Sequence, residues 1–154
     1  MSRPTLSAGI LMYRRSPSAL EVLLVHPGGP FWRRRDEGAW QIPKGEASPH
    51  ETLEQAARRE FEEELGVAPE GVLASLGRIK QKGGKSVEAF ALEGQLDVTA
   101  IRSNEFSMEW PPHSGRIANF PEVDRAEWFA IDAARGKMLA SQLSLLDRLV
   151  DVIG

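Results

Sequence analysis

The stretch that most constrains the fold of this chain is residues 45–67, GEASPHETLEQAARREFEEELGV. Ser48 can cap a helix, and Glu51, three residues later, would complete a capping box. Gly66 suits the position just past a helix end, where the backbone adopts a left-handed conformation. The sequence therefore predicts a helix over residues 49–65, flanked by two loops.

Several carboxylates of this helix lie on the side that should face a core. At about 100° per residue, one apolar arc contains Leu53, Ala56, Ala57, Phe61 and Leu65. Glu60 and Glu64 fall inside that arc and Glu63 falls at its edge, so the three share one face. Buried like charges are unfavourable unless a cation neutralises them, and carboxylate oxygens suit Mg²⁺ or Mn²⁺. The pattern favours a divalent-metal site over the alternative, a solvated acidic face.

The same stretch resembles the signature of the Nudix hydrolase family at every specified position. The matching pattern is Gly45, five residues, Glu51, seven residues, then Arg59-Glu60-Phe61-x-Glu63-Glu64-x-Gly66-Val67. The resemblance implies an α+β fold of the Nudix type, an α/β/α sandwich with a mixed β-sheet between helices. It also implies a Mg²⁺-dependent pyrophosphohydrolase, with Mn²⁺ as a possible substitute, that cleaves a nucleoside diphosphate linked to another group.

Motif position also implies roles for individual residues. The implied metal ligands are Glu60, Glu63, Glu64 and the backbone carbonyl at Gly45. Glu60 is at the same time a candidate general base. Arg59 and Glu51 resemble the pair that holds the helix against its loop.

Two further catalytic candidates lie outside the signature. Glu122, in the segment 121–129, resembles a glutamate that faces the metals in dinucleoside polyphosphate and RNA pyrophosphohydrolase relatives, with Glu105 and Asp124 as alternatives. Lys44 directly precedes the signature, where an ammonium group would lie beside metal-bound phosphates. The alternative for Lys44 is an exposed lysine in a turn.

Basic residues elsewhere are candidates for contacts with substrate. In the loop 31–38, Trp32 and the arginines Arg33, Arg34 and Arg35 suit stacking on a base and binding of phosphates. The same loop is also typical of a solvated lid. Lys80 and Lys82, near a Gly-Gly turn, either approach a polyphosphate or only keep a hairpin soluble.

Composition limits the class of protein. The 154 residues suit a single domain, expected over 1–154, and the net charge of −3 without a basic block argues against general nucleic-acid binding. The absence of cysteine excludes disulfides, thiolate catalysis and zinc–sulfur sites. No apolar run approaches the length of about 18 residues that a membrane span needs, so we expect a cytoplasmic protein. We expect it to be a monomer or a homodimer.

Periodicity predicts the remaining elements. They are a hairpin of strands over 5–13 and 21–26 with its turn at 16–19, a second hairpin of strands over 71–81 and 85–93, a strand near 128–129, and helices over 131–134 and 140–153. The segment 97–115 is expected to be irregular. Trp40 is expected to pack in the core.

The preferred substrate is a dinucleoside polyphosphate such as diadenosine tetraphosphate. The segments Trp40–Lys44 and 121–129 resemble those of that branch of the family. Oxidised or non-standard nucleoside triphosphates and nucleotide sugars such as ADP-ribose are the enzymatic alternatives. A non-catalytic nucleotide-sensing module is the alternative from a different class.

Overall fold

The computed structural model describes residues 6–154. Its strands are β1 (Leu6–Arg15), β2 (Leu20–Pro27), β3 (Lys44–Glu46), β4 (Ala74–Lys80), β5 (Ser86–Glu93), β6 (Glu105–Glu109), β7 (Ile117–Pro121) and β8 (Val123–Ala130). Its α-helices are α1 (Leu53–Leu65), α2 (Ile131–Lys137) and α3 (Ser144–Ile153). Across residues 6–154, no helix is long and apolar enough to cross a membrane.

The main sheet is mixed. Its strands lie in the order β4-β5-β1-β2-β8, with β1 and β5 parallel and the other neighbours antiparallel. Strand β2 pairs with β1 only over residues 13–15, and β3 takes its place against residues 7–9. The sheet therefore opens between β1 and β2, and the chain that leads into α1 fills the opening.

Alternation along the central strands buries both faces of the sheet. Leu11 and Leu24 face one core, to which α3 contributes Leu145, Leu146 and Leu149. Ile10 and Leu23 face the other core, to which α1 contributes Ala56, Ala57, Phe61 and Leu65. This arrangement confirms the expected α/β/α sandwich with a mixed sheet between helices.

The predicted start of α1 is wrong. The helix begins at Leu53, and Thr52 is its N-cap, with Thr52 and Gln55 forming the capping box. The Ser48 N–H does donate to Glu51, at 2.9 Å, but in a turn before the helix. Because Glu51 also binds a side chain further along the helix, its turn stays outside the helix. Gly66 ends α1 with φ of 81°, as predicted.

The sequence indicated that the segment 97–115 is irregular, and this prediction is wrong in part, because residues 105–109 form strand β6. Strand β6 pairs with β7 in a separate two-stranded sheet, in which Phe106 lies opposite Phe120 and Met108 lies opposite Ala118. Its strands are largely exposed because they lie outside the main sheet.

The two predicted hairpins are confirmed as β1–β2 and β4–β5, although Thr5 lies outside the described residues. The final helix begins at Ser144, after a short 3₁₀ turn at Ala140–Gln142.

Candidate active site

Glu64 is the buried member of the carboxylate cluster. Its side chain points from α1 toward β3 and accepts a hydrogen bond from the Lys44 backbone N–H at 3.0 Å, and the residue is only 7% exposed. Burial, together with the charges of the nearby Glu60 and Glu122 carboxylates, raises the pKa of Glu64 to about 8 against the opposing hydrogen bond and charge of Lys44. The fold therefore holds a carboxyl group where a lone negative charge is strongly disfavoured.

Glu60 packs directly on the backbone of Gly45. A Cβ atom built on Gly45 would lie 2.1 Å from the carboxyl carbon of Glu60, so any side chain there would displace the carboxylate. Burial, and then the charge of Glu63, raise the pKa of Glu60 against the opposing hydrogen bond from Arg59. The glycine of the signature is thus explained by the close approach of a glutamate to the backbone.

The Arg59 guanidinium holds the cluster together. It donates to both carboxylate oxygens of Glu51 at 2.7 and 3.1 Å, to Glu60 at 2.8 Å and to Glu63 at 3.1 Å. It also donates to the Glu46 backbone carbonyl at 3.0 Å, which fixes the helix against the strand before it. The hydrogen bonds from Arg59 lower the pKa of Glu51 to about 2.

Glu122 reaches the cluster from the junction of β7 and β8. Its N–H donates to the Asn104 carbonyl at 2.8 Å, and the Asn104 N–H donates to the Glu63 carbonyl at 2.8 Å. The Ser103 hydroxyl accepts from the Val123 N–H at 3.0 Å. The segment 102–104 therefore ties the end of α1 to the start of β8 and fixes Glu122 relative to the helix. Burial, and then the charge of Glu63, raise the pKa of Glu122.

A cavity of about 210 Å³ joins these groups, with Lys44, Glu64 and Glu122 in its wall. Burial lowers the pKa of Lys44, although Glu64 and Glu60 favour its charged form. The repulsion from Lys85 acts in the same direction as burial. Lys44 thus lies beside the carboxylates, and its expected contact with metal-bound phosphates stays a prediction.

The donor set suits a hard divalent cation by its chemistry. Three of the carboxyl groups, on Glu60, Glu64 and Glu122, are disfavoured as anions by burial and by the charges of neighbouring carboxylates, and a cation would relieve both effects. Over residues 6–154 no three acidic, histidine or cysteine side chains already surround one point as a metal cage. The Arg59 guanidinium instead supplies positive charge between Glu60 and Glu63.

A second, apolar cavity adjoins the first. Its volume is about 450 Å³, and it shares Pro27 and Glu122 with the carboxylate cavity. Its walls include the aromatic residues Phe31, Trp32 and Phe106. Of the loop residues expected to contact substrate, Trp32 is thus beside the site.

The other predicted contacts lie elsewhere. Arg33, Arg34 and Arg35 line a separate cavity that shares no residue with the carboxylate cavity. Lys80 and Lys82 line neither the carboxylate cavity nor the apolar one. The alternatives to Glu122 are also placed elsewhere, because Glu105 is exposed on β6 and Asp124 accepts a hydrogen bond from His26, at 2.8 Å.

Sequence reasoning missed the residues that complete the site. Asn104 and Ser103 act mainly through backbone and short side-chain contacts, which no composition pattern marks. Phe106 and Met108, by contrast, alternate with polar neighbours in EFSME, and this period of two could have revealed a half-buried strand. Trp40 is 1% exposed and packs against Phe129, as expected of a core residue.

Comparison with known proteins places this geometry in a family. The sequence is similar to the RNA pyrophosphohydrolases of Cellvibrio japonicus, 43% identical over 58 residues, and Alkalilimnicola ehrlichii, 44% identical over 57 residues. Each match covers 36% of this chain. The chain spans about a third of the length of these relatives, 34% and 32%.

Solved structures of the same fold cover nearly the whole chain. An Ap4A hydrolase of C. elegans, in a binary complex, is 23% identical with a TM-score of 0.67, covering 96% of this chain and 97% of that one. The NUDIX domain of Shewanella oneidensis NrtR, complexed with ADP ribose, is 18% identical with a TM-score of 0.70, covering 100% and 91%. The sequence pattern of the NUDIX domain matches residues 3–149, almost the full length, and the chain therefore belongs to the NUDIX domain family.

Proposed function

We propose that the chain is a divalent-metal-dependent pyrophosphohydrolase that cleaves a phosphoric anhydride bond in a nucleoside diphosphate linked to another group. One observation carries the proposal: Glu60, Glu64 and Glu122 lie close together with raised pKa values beside the half-buried Lys44. Perturbed carboxyl groups that cluster in a cavity are typical of a catalytic site. A purely structural packing of α1 against the sheet would not bring Glu122 to the two glutamates of the helix.

We assign the metal to Glu60, Glu63 and Glu64, with the Gly45 carbonyl as a further ligand. Mg²⁺ is the preferred ion and Mn²⁺ a possible substitute, because the donors are hard oxygens. When bound, the ion would supply neutralisation of phosphate charge and polarisation of a water molecule. Arg59 would continue to orient the ligands through Glu51 and the backbone of β3.

Side chains of the site carry out proton transfer and charge stabilisation during hydrolysis. The water oxygen bonds to one phosphorus, the bridging P–O bond of the anhydride breaks, and the released phosphate carries away the bond electrons. Glu60 or Glu122 accepts the proton of the water, which suits their raised pKa values because they bind protons more strongly than ordinary carboxylates. The ammonium group of Lys44 stabilises the charge that develops on the phosphate oxygens.

A dinucleoside polyphosphate remains the first candidate for the substrate. The apolar cavity supports it, since its volume of about 450 Å³ suits a nucleoside and its aromatic wall suits a base. Because the two cavities share Pro27 and Glu122, a base in the apolar cavity would lie next to the phosphates.

The 5′-triphosphate end of RNA is the second candidate. The relatives from Cellvibrio japonicus and Alkalilimnicola ehrlichii carry the name RNA pyrophosphohydrolase, and each match covers about a third of the chain. An RNA end presents the same chemistry, a polyphosphate attached to a nucleoside.

Product analysis on a small panel tests the proposal and separates the candidates. The panel holds diadenosine tetraphosphate, a 5′-triphosphorylated oligonucleotide, ADP-ribose and an oxidised triphosphate, each with and without Mg²⁺. Formation of ATP and AMP from the first substrate, at the highest kcat/KM, would identify a dinucleoside polyphosphate as the substrate. Release of pyrophosphate from the oligonucleotide, at the highest kcat/KM, would identify the 5′-triphosphate end of RNA instead.

Two variants control this assay. Glu64→Gln should abolish metal-dependent turnover, whereas Glu62→Gln, an exposed neighbour on the same helix, should leave it unchanged. Full activity of Glu64→Gln would refute the metal assignment. No turnover of any substrate by the wild type would favour the nucleotide-sensing alternative.

A further inference from the structure

A third cavity, which we call the arginine cavity, gathers positive charge away from the carboxylates. Its volume is about 380 Å³, and its cationic residues are Arg33, Arg34, Arg35, Arg125 and Lys137. Two acidic residues, Asp36 and Glu127, also line it, so five positive charges face two negative ones. The cavity therefore has an excess of three positive charges, although the whole chain has a net charge of −3.

Of these five cations, Arg125 lies 3.9 Å from Asp124 and Lys137 is paired with Asp36, while the arginines of the loop have no acidic partner within residues 6–154. The Asp36 carboxylate already binds Lys137 and accepts a hydrogen bond from the Trp40 indole N–H at 2.8 Å. Arg33 and Arg34 form no salt bridge within residues 6–154. Their guanidinium groups consequently remain available to an external anion.

The loop that carries the arginines is firmly held, which argues against a solvated lid. The Arg35 carbonyl lies 2.5 Å from Nε2 of the fully buried His26, and the Arg35 N–H donates to the Trp32 carbonyl at 2.9 Å. The Arg35 guanidinium stacks over the Phe31 ring, 4.7 Å from its centroid. A held backbone keeps charged side chains close to one another and makes a binding site pre-organised.

The charges also converge from three separate elements. Arg33 and Arg34 come from the loop, Arg125 from β8 and Lys137 from α2. A run of three arginines alone would be compatible with an ordinary solvated surface. Convergence with cations from β8 and α2 indicates that the fold builds a positive cavity there.

We propose that the arginine cavity is a second anion site that binds a phosphate group, separate from the carboxylate cavity. Guanidinium groups match phosphate oxygens with paired hydrogen bonds, and Lys137 adds a point charge. The phosphate comes either from a distal part of a long substrate or from a separate phosphorylated molecule. Both sources present the same chemistry to the cavity.

Binding of inorganic pyrophosphate to the metal-free protein tests the site without relying on catalysis. Isothermal titration calorimetry in EDTA should show saturable binding that weakens at least tenfold in Arg33→Ala/Arg34→Ala. The double variant Lys82→Ala/Arg116→Ala removes the same charge from exposed positions outside the arginine cavity and should bind as the wild type does. The indole N–H resonance of Trp40 should shift on titration.

Three results would overturn the proposal. These are unchanged affinity in the arginine double variant, an equal loss in the control variant, or loss of pyrophosphate binding in Glu64→Gln. The last would place the anion at the carboxylates instead. Because metal and turnover play no part, failure of the proposed hydrolysis would not affect this measurement.

Kinetics then identify the source of the phosphate, and this step rests on the proposed function. If the substrate supplies it, the arginine double variant raises KM for a 5′-triphosphorylated oligonucleotide but not for ATP. If a separate molecule supplies it, both KM values stay unchanged while pyrophosphate binding is still lost. A rise in both KM values would show that the arginine cavity is part of the catalytic site, and it would refute a separate anion site.

Discussion

Replacement of Glu64 by glutamine should stabilise the metal-free protein while removing its activity. Glutamine keeps the oxygen that accepts from the Lys44 N–H but carries no charge. The buried carboxyl group of the wild type, by contrast, has a pKa raised to about 8 from an ordinary value of 4.5. Folding of the wild type therefore forces this group to take up a proton at neutral pH.

The size and sign of the effect follow from that pKa difference. Below pH 4.5 the group is protonated in the folded and unfolded states, so it does not affect the free energy of unfolding. As the pH rises toward 8, the unfolded state is favoured by about 1.4 kcal/mol per pH unit, reaching about 3 kcal/mol at pH 7. Above the folded-state pKa the penalty is constant.

Urea unfolding of both proteins in EDTA, at pH values from 5 to 8, measures this directly. The variant should gain stability over the wild type with rising pH, and any fixed contribution from the amide group would leave that slope unchanged. Saturating Mg²⁺ should reverse the order, because metal binding stabilises only the protein that retains the ligand. A stability difference that does not vary with pH would refute the reasoning.

Three further predictions concern other parts of the site. Gly45→Ala should lower kcat about 100-fold by displacing the carboxylate packed against it, whereas Gly136→Ala, with nothing within 4 Å of its new methyl group, should retain full activity. Since the pKa of Glu51 is about 2, the stability from its pair with Arg59 should be complete above pH 4.5 and lost toward pH 2; Glu51→Gln should melt at a lower temperature at pH 7, with a difference that shrinks in acid. Phe106→Ala should raise KM about tenfold for substrates with a base at unchanged kcat, and an unchanged KM would exclude the apolar cavity from base binding.

The sequence predicted the signature helix well because its chemistry is local. The spacing of Glu60, Glu63 and Glu64 alone places them on one face. Gly66 ends the helix because a residue without a side chain readily adopts the left-handed conformation needed there. The helix start was predicted too early because Ser48 and Glu51 match a capping box, although the helix uses the one formed by Thr52 and Gln55. The choice between them depends on the contact between Glu51 and Arg59, which joins the loop to the helix.

The contacts beyond the signature depend on tertiary structure. Glu122 was predicted to join the cluster from a resemblance, but the hydrogen bonds that hold it run through Asn104, in a segment read as irregular. For Arg33–Arg35, the sequence indicated contact with phosphate, which stays a prediction. It could not indicate that β8 and α2 would complete a cavity around them, away from the carboxylates.

The β6–β7 hairpin begins and ends at a single point of the fold. The hydrogen bond from the Glu122 N–H to the Asn104 carbonyl closes its base, while Phe106 reaches the apolar cavity from its side. The hairpin can therefore change in length or sequence without moving the ends between which it is inserted. Replacement of the hairpin as a unit would therefore reshape the apolar cavity and leave the carboxylates of α1 in place.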